Sequence, residues 1–233
     1  MPLLTVQHKQ RRLAKQAAND AITAAEVARN SSVMNSALSP RVRGDYQVAL
    51  AALTQCREQL AELDGIPDKV ALKARVLPQF MDFLQTYQDS GQRYPNEVLV
   101  FCIIWLFDVG DIESAMAWAG LAIEQQQCMP RHFKRDLPTY VLEEVHDWAE
   151  RQFKAGDSAS PYLDDAAAKL TDQIWPTAND IVAGKLYRQC GLNAEQNGDL
   201  NAALNYFEQA QAANPAAGCK TRIAKLQAKL GLA

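Results

Sequence analysis

Four side chains in the middle of the chain could do metal or acid–base chemistry together. Glu143, His146, Asp147 and Glu150 are spaced i, i+3, i+4 and i+7, so a helix puts them on one face. Metal-dependent nucleases need two or three converging carboxylates, often with a histidine, to hold Mg²⁺ and activate water. The same spacing suits a solvated charged face. The sequence favours that plainer reading, because nothing else in it completes a nuclease motif. The other histidines are His8, in a basic N-terminal segment, and His132, in the turn-like Met129-Pro130-Arg131-His132. There is no G-x-x-x-x-G-K-[ST] loop, no G-x-S-x-G and no H-E-x-x-H. The sequence therefore assigns no catalytic residue, no metal ligands and no cofactor.

Cys56, Cys102, Cys128, Cys190 and Cys219 are odd in number, with no C-x-x-C spacing. That argues against a disulfide framework or a zinc site and fits a reducing cytoplasm. Most lie on apolar stretches and read as core, as do Trp105, Trp118, Trp148 and Trp175. The longest apolar run, Val98–Phe107, is ten residues, about half a membrane span, and reads as a buried helix. His8-Lys9-Gln10-Arg11-Arg12 leaves no room for the apolar core of a signal peptide.

Charge is the feature that points toward a ligand. The formal net charge of the 233 residues is −3, but it is unevenly placed. Residues 1–43 hold Lys9, Arg11, Arg12, Lys15, Arg29, Arg41 and Arg43 against Asp20 and Glu26, a net +5. The other 190 residues carry −8. A basic arm on an acidic body is a pattern of chains that touch nucleic acid or another acidic partner. Lys9, Arg12 and Lys15 lie near one helical face with Arg11 beside them, and no carboxylate precedes Asp20. Such a cluster can neutralise phosphates. Arg41 and Arg43 extend the patch. No aromatic residues are interleaved, so stacking on bases is not indicated, and a solubilising tail is the competing reading.

The elements that position these groups read as all-α. No segment alternates with period 2 between turn signals. Residues 1–40 form the basic arm, helical or disordered. Residues 41–90 read as an antiparallel helical hairpin. Its first helix carries Tyr46, Ala49, Leu53, Cys56, Leu60 and Leu63, and its second Val70, Ala74, Leu77, Met81 and Leu84, each on a narrow heptad seam. Asp64-Gly65-Ile66-Pro67 makes the turn, and Pro78 should kink the second arm. Tyr46, Leu53, Leu60, Leu63, Val70, Leu77, Met81 and Leu84 are the candidate oligomerisation residues, although packing within one chain would also satisfy such seams.

Residues 91–233 contain an internal echo. Gly110-Asp111-Ile112 is followed by Ala115, Met116, Trp118 and Ala122, and Gly198-Asp199-Leu200 by Ala203, Leu204, Tyr206 and Ala210, at identical offsets. The spacing is that of a tetratricopeptide helix pair, with Asp111 and Asp199 as N-caps. The copies stand 88 residues apart, which excludes a continuous solenoid of such repeats.

Four stretches resemble the gpM-type small terminase subunit of temperate tailed phages. They are Ile66–Pro78, Val109–Ala122, Met129–Arg135 with Glu143-Glu144, and Ala183–Leu192, and in order and spacing they cover about residues 41–230. The resemblance implies a DNA-packaging protein without a cofactor. Its partners would be double-stranded phage DNA and the terminase large subunit. It would assemble as a homo-oligomer, a ring, in the cytoplasm of an infected or lysogenic bacterium, with no membrane contact. It would recognise the packaging (cos) site and deliver DNA to the large subunit, which holds the ATPase motor and, in most phages, the nuclease. Members of this group are often labelled the endonuclease subunit, which the sequence reads as an activity of the complex. Two alternatives remain: a tetratricopeptide-like adaptor that never meets DNA, and a metal-dependent nuclease using Glu143, His146, Asp147 and Glu150.

Overall fold

The computed structural model describes residues 38–232. Among them are ten α-helices and no strand, the all-helical class expected. They are α1 (Pro40–Ala61), α2 (Ile66–Val76), α3 (Pro78–Asp89), α4 (Glu97–Val109), α5 (Ile112–Glu124), α6 (Leu137–Ala155), α7 (Tyr162–Thr171), α8 (Asp180–Gln196), α9 (Leu200–Ala213) and α10 (Lys220–Leu230). The chain divides into two units, Met1–Thr54 and Gln55–Ala233, and α1 runs across the division.

In the first unit, Pro40 takes the opening position of α1, where its missing N–H costs nothing. The Ser39 hydroxyl accepts from the Val42 N–H at 3.4 Å and the Ser39 carbonyl from the Arg43 N–H at 3.1 Å. Tyr46, Ala49 and Leu53 are buried at the expected three- and four-residue steps, whereas Val48 is exposed.

The second unit continues the same stripe with Cys56 and Leu60. Pro78 divides the next arm in two. Leu77 keeps helical angles and its N–H reaches the Lys73 carbonyl at 2.9 Å. Pro78 has no N–H to continue the ladder, which resumes as a tighter Phe80 N–H to Leu77 carbonyl bond of 3.0 Å. Ala74, placed on the apolar seam by its spacing, is exposed. Leu72 is buried instead, because α2 turns that face onto α4.

Helix α4 is the centre of this unit. All ten residues Val98–Phe107 are buried, as the apolar run predicts. The helix therefore has no solvent side, and α2, α3 and α5 pack on it. Its start is capped by Asn96, whose side chain accepts from the Leu99 N–H at 3.1 Å. The Asn96 N–H donates to Gln127 Oε1 at 2.8 Å, and Gln127 Nε2 donates to the Tyr94 carbonyl at 2.8 Å and to Tyr87 Oη at 3.2 Å. Tyr87 in turn donates to Gln125 and stacks edge-on against Tyr94. This polar knot ties the segment entering α4 to the segment leaving α5. Burial pushes the Tyr87 hydroxyl above its ordinary pKa, so it stays a donor.

The Gly-Asp signals close three helices in the same way. At Gly110, Gly156 and Gly198 the backbone turns left-handed, with φ of 82°, 83° and 81°. Each following Asp N–H reaches back five residues, Asp111 to Leu106, Asp157 to Gln152 and Asp199 to Ala194, which satisfies carbonyls at the helix end. Asp111 and Asp199 then cap α5 and α9 through the N–H groups of Ser114 and Ala202, as their positions predict. Asp157 caps nothing comparable, because α7 starts only at Tyr162. The hairpins α4–α5 and α8–α9 pack through Ala115, Ala119 and Ala122 in one and Ala203, Phe207 and Ala210 in the other, all fully buried. Helix α6 bridges them, packing on both α5 and α8.

The close approach of α8 and α9 is measured by its glycines. A Cβ at Gly191 would stand 2.7 Å from the ring of the fully buried Phe207, whereas one at Gly120 on α5 would meet nothing within 4 Å. Gly191→Ala should therefore lower unfolding free energy by about 1–3 kcal/mol through overpacking. Gly120→Ala should raise it by up to about 1 kcal/mol, because alanine costs less entropy in a helix interior. Urea denaturation followed by circular dichroism reads both, and equal stabilities would contradict this packing.

Candidate functional site

A cluster of ionisable groups lies around α6. That helix starts because Asp136 accepts from the Thr139 N–H at 2.9 Å and Pro138 needs no partner in the first turn. The preceding loop is pinned by stacked rings. His132 lies 4.5 Å from Phe133 and 6.3 Å from Phe101, and Phe133 meets Tyr140 edge-on at 5.6 Å. This fixes where Arg135 enters.

Arg135, Glu143, Glu144, His146 and Asp147 line a cleft of about 270 Å³ with Val182 and Lys185 from α8. Helical spacing correctly brings Glu143, His146 and Asp147 together, but Glu150 does not line the cleft. Each carboxylate has a private partner. Glu143 pairs with Arg135 Nε at 2.5 Å, Asp147 with His146 Nδ1 at 2.8 Å and Glu150 with Lys154 at 3.0 Å. The Lys154 bond holds the Glu150 carboxyl below its ordinary pKa. Among the described residues no three His, Cys, Asp or Glu side chains group so that they could hold a metal ion.

Glu144 behaves differently. Burial, followed by the neighbouring Asp108 and Asp147, raises its pKa against the opposing pull of Arg151 and a hydrogen bond from Tyr140. Asp108 is itself held by Lys73 at 2.6 Å, linking α2 to α4. Burial, then Glu144 and Asp108, push the Tyr140 hydroxyl far above its ordinary value, so it remains a donor. The sequence reading missed Glu144, because it stands beside Glu143 and off the marked face. Its i, i+4 relation to Tyr140 was the available signal. Arg135 and Lys185 come from other elements, which no local spacing could reveal.

The residues expected from the sequence to contact DNA or to mediate self-association fall in several places. Lys9, Arg11, Arg12 and Lys15 lie outside the described residues. Arg41 is exposed, and Arg43 is half-buried with its guanidinium donating to the Leu38 carbonyl at 3.1 Å. Tyr46, Leu53, Leu60, Leu77 and Leu84 are buried within the single chain, and Leu63, Val70 and Met81 are half-buried. Of the cysteines, Cys128 is exposed and the other four are buried. Trp105 and Trp175 are core, while Trp118 and Trp148 are half-buried. No helix among the described residues is long and apolar enough to cross a membrane.

These features define an all-helical protein whose polar site is built for charge pairing. The model of the phage small terminase subunit family matches residues 50–179, more than half of the chain, and the chain belongs to that family. It is similar to the probable terminase, endonuclease subunit, of Haemophilus phage HP1, with 33% identity over 142 residues, 60% of this chain and 50% of that protein. It is also similar to the terminase, endonuclease subunit, of Escherichia phage P2, with 28% identity over 189 residues, 79% of this chain and 74% of that protein. The match thus spans half the length of the first relative and about three quarters of the second. No solved structure matches the chain.

The raised Glu144 pKa makes a signed prediction. The folded state holds this proton to higher pH than the unfolded chain, whose glutamate titrates near about 4.3. Glu144 therefore favours folding most below that value, and the contribution is lost as pH rises through the folded pKa. Glu144→Gln keeps an oxygen for Tyr140 and removes the charge. Its melting temperature should exceed that of the parent at pH 7, with the gap closing as pH falls toward about 4. A gap that widens in acid would show that Glu144 is stabilised as the anion.

Proposed function

We propose that this protein is a terminase small subunit that binds the packaging site of concatemeric phage DNA, oligomerises and delivers the DNA to a large ATPase and nuclease subunit. The observation that carries the reading is the family match over residues 50–179. In this reading the basic arm, residues 1–40, contacts phosphates together with Arg41 and Arg43. Residues 41–90 mediate self-association. Ile66 is strongly exposed there, beside the half-buried Leu63 and Val70. The body, residues 91–233, meets the large subunit.

The HP1 and P2 relatives are named endonuclease subunits. For this chain we assign cleavage to the complex. Arg135 and Lys154 already occupy the Glu143 and Glu150 carboxylates, which supports that assignment. Incubating the purified chain with Mg²⁺ and a cos-containing fragment tests it. Cleavage by the isolated chain that disappears in Glu143→Ala or Asp147→Ala would establish an intrinsic nuclease instead.

Binding is tested on the arm. Replacing Lys9, Arg11, Arg12 and Lys15 by Gln should weaken binding to a cos-containing duplex. The slope of log K against log salt should flatten by about 0.9 for each phosphate that is no longer neutralised. Unchanged affinity and slope would remove the arm from the DNA interface.

A further inference from the structure

The acidic body is not acidic throughout. Residues 216–233 contain Lys220, Arg222, Lys225 and Lys229 and no carboxylate, a net +4. Residues 44–215 therefore carry −12. The C-terminal cations all lie on α10, and the structure sorts them into two kinds. Arg222 is a fastener. It pairs with Glu195 of α8 and its guanidinium sits 5.7 Å from the Phe207 ring of α9. Leu226, fully buried, anchors the same side of α10.

Lys220, Lys225 and Lys229 are exposed and, among the described residues, make no ion pair. Arg188 of α8 is also exposed and without an ion pair, and it lies close enough to Cys219, at the start of α10, to act on its thiol together with Arg222. Lys225 and Lys229 stand at i, i+4, where like charges destabilise a helix. Their pairing is therefore not explained by helix stability, although their position near the C-terminal end softens the cost.

We propose that α10, with Arg188 of α8, is a second DNA-binding surface that holds the phosphate backbone of duplex DNA without reading sequence. The proposal rests on the DNA-binding reading above and adds to it a surface outside both the arm and the region matched by the family model. The composition of the exposed face favours phosphate over an acidic protein. Between the lysines it shows Thr221, Ala224 and Ala228. Protein interfaces are depleted in lysine and anchored by large aromatic or apolar side chains; between its lysines α10 exposes none, and the exposed Leu232 lies beyond the end of the helix. Small side chains let lysine point charges approach a smooth polyanion, and that approach requires nothing else.

The test uses the full chain and a fluorescein-labelled duplex of arbitrary sequence, read by fluorescence anisotropy across a salt series. The variant is Arg188→Gln/Lys220→Gln/Lys225→Gln/Lys229→Gln, which leaves Arg222 in place. Glutamine is as good a helix former as lysine, so an unchanged melting temperature is expected. Binding should weaken at least about tenfold near 0.15 M salt, and the slope of log K against log salt should flatten by about 2 or more. A second variant, Lys220→Arg/Lys225→Arg/Lys229→Arg, should keep both. Parent-like affinity and slope in the glutamine variant, with weakening confined to the arm variant, would overturn the proposal and leave the DNA-binding reading intact. No binding by the parent chain would remove both. Parent-like DNA binding with an altered native mass would assign the surface to a protein partner instead. Failure of the arginine variant to bind would also overturn it, because charge would not then be what acts.

Discussion

The second unit depends on one constraint, that α4 has no polar face. Ten consecutive side chains, Val98–Phe107, must leave water together, and burying each is worth on the order of 1.5–3 kcal/mol. One neighbouring helix cannot cover a cylinder. The layout of α2, α3 and α5 around α4 follows from that need, and the rings of Phe107, Tyr140 and Phe133 continue the apolar packing toward α6. The Asn96–Gln127–Tyr87 knot solves the complementary problem. It supplies partners to backbone groups at the end of a helix that has no solvent to turn to.

Packing α4 so closely leaves the charged groups to the outer surfaces of the surrounding helices, where they act mainly as links. Lys73 to Asp108, Arg57 to Glu97 and Arg222 to Glu195 each join two helices far apart in sequence. The cleft beside α6 obeys the same logic. Its carboxylates are met by Arg135, His146 and the Tyr140 hydroxyl rather than left to converge. A group such as Glu144, half-buried beside two other carboxylates, is then a cost the fold carries at neutral pH. Lys220, Lys225 and Lys229 on α10 and Arg188 on α8 make no such link among the described residues.

Much of this was legible in local pattern. The buried run of α4, the Gly-Asp caps before α5 and α9, the break at Pro78 and the all-helical class each depend on a few adjacent residues, and sequence shows those directly. The seam on α2 was not legible. Ala74 and Leu72 both fit a helix, and which one turns inward depends on α4 lying across that face. The cleft was half legible, since Glu143, His146 and Asp147 share a helix while Arg135, Val182 and Lys185 are brought to it by packing.

The sequence by itself determined where helices begin and end, which one must be central, and the uneven distribution of charge, because caps, prolines, apolar runs and net charge are properties of short segments. Tertiary structure alone decided which charges are spent on one another. A lysine that ties two helices and a lysine that faces water are the same letter in the sequence. Only the position of a carboxylate about 3 Å away, often tens of residues distant along the chain, separates them.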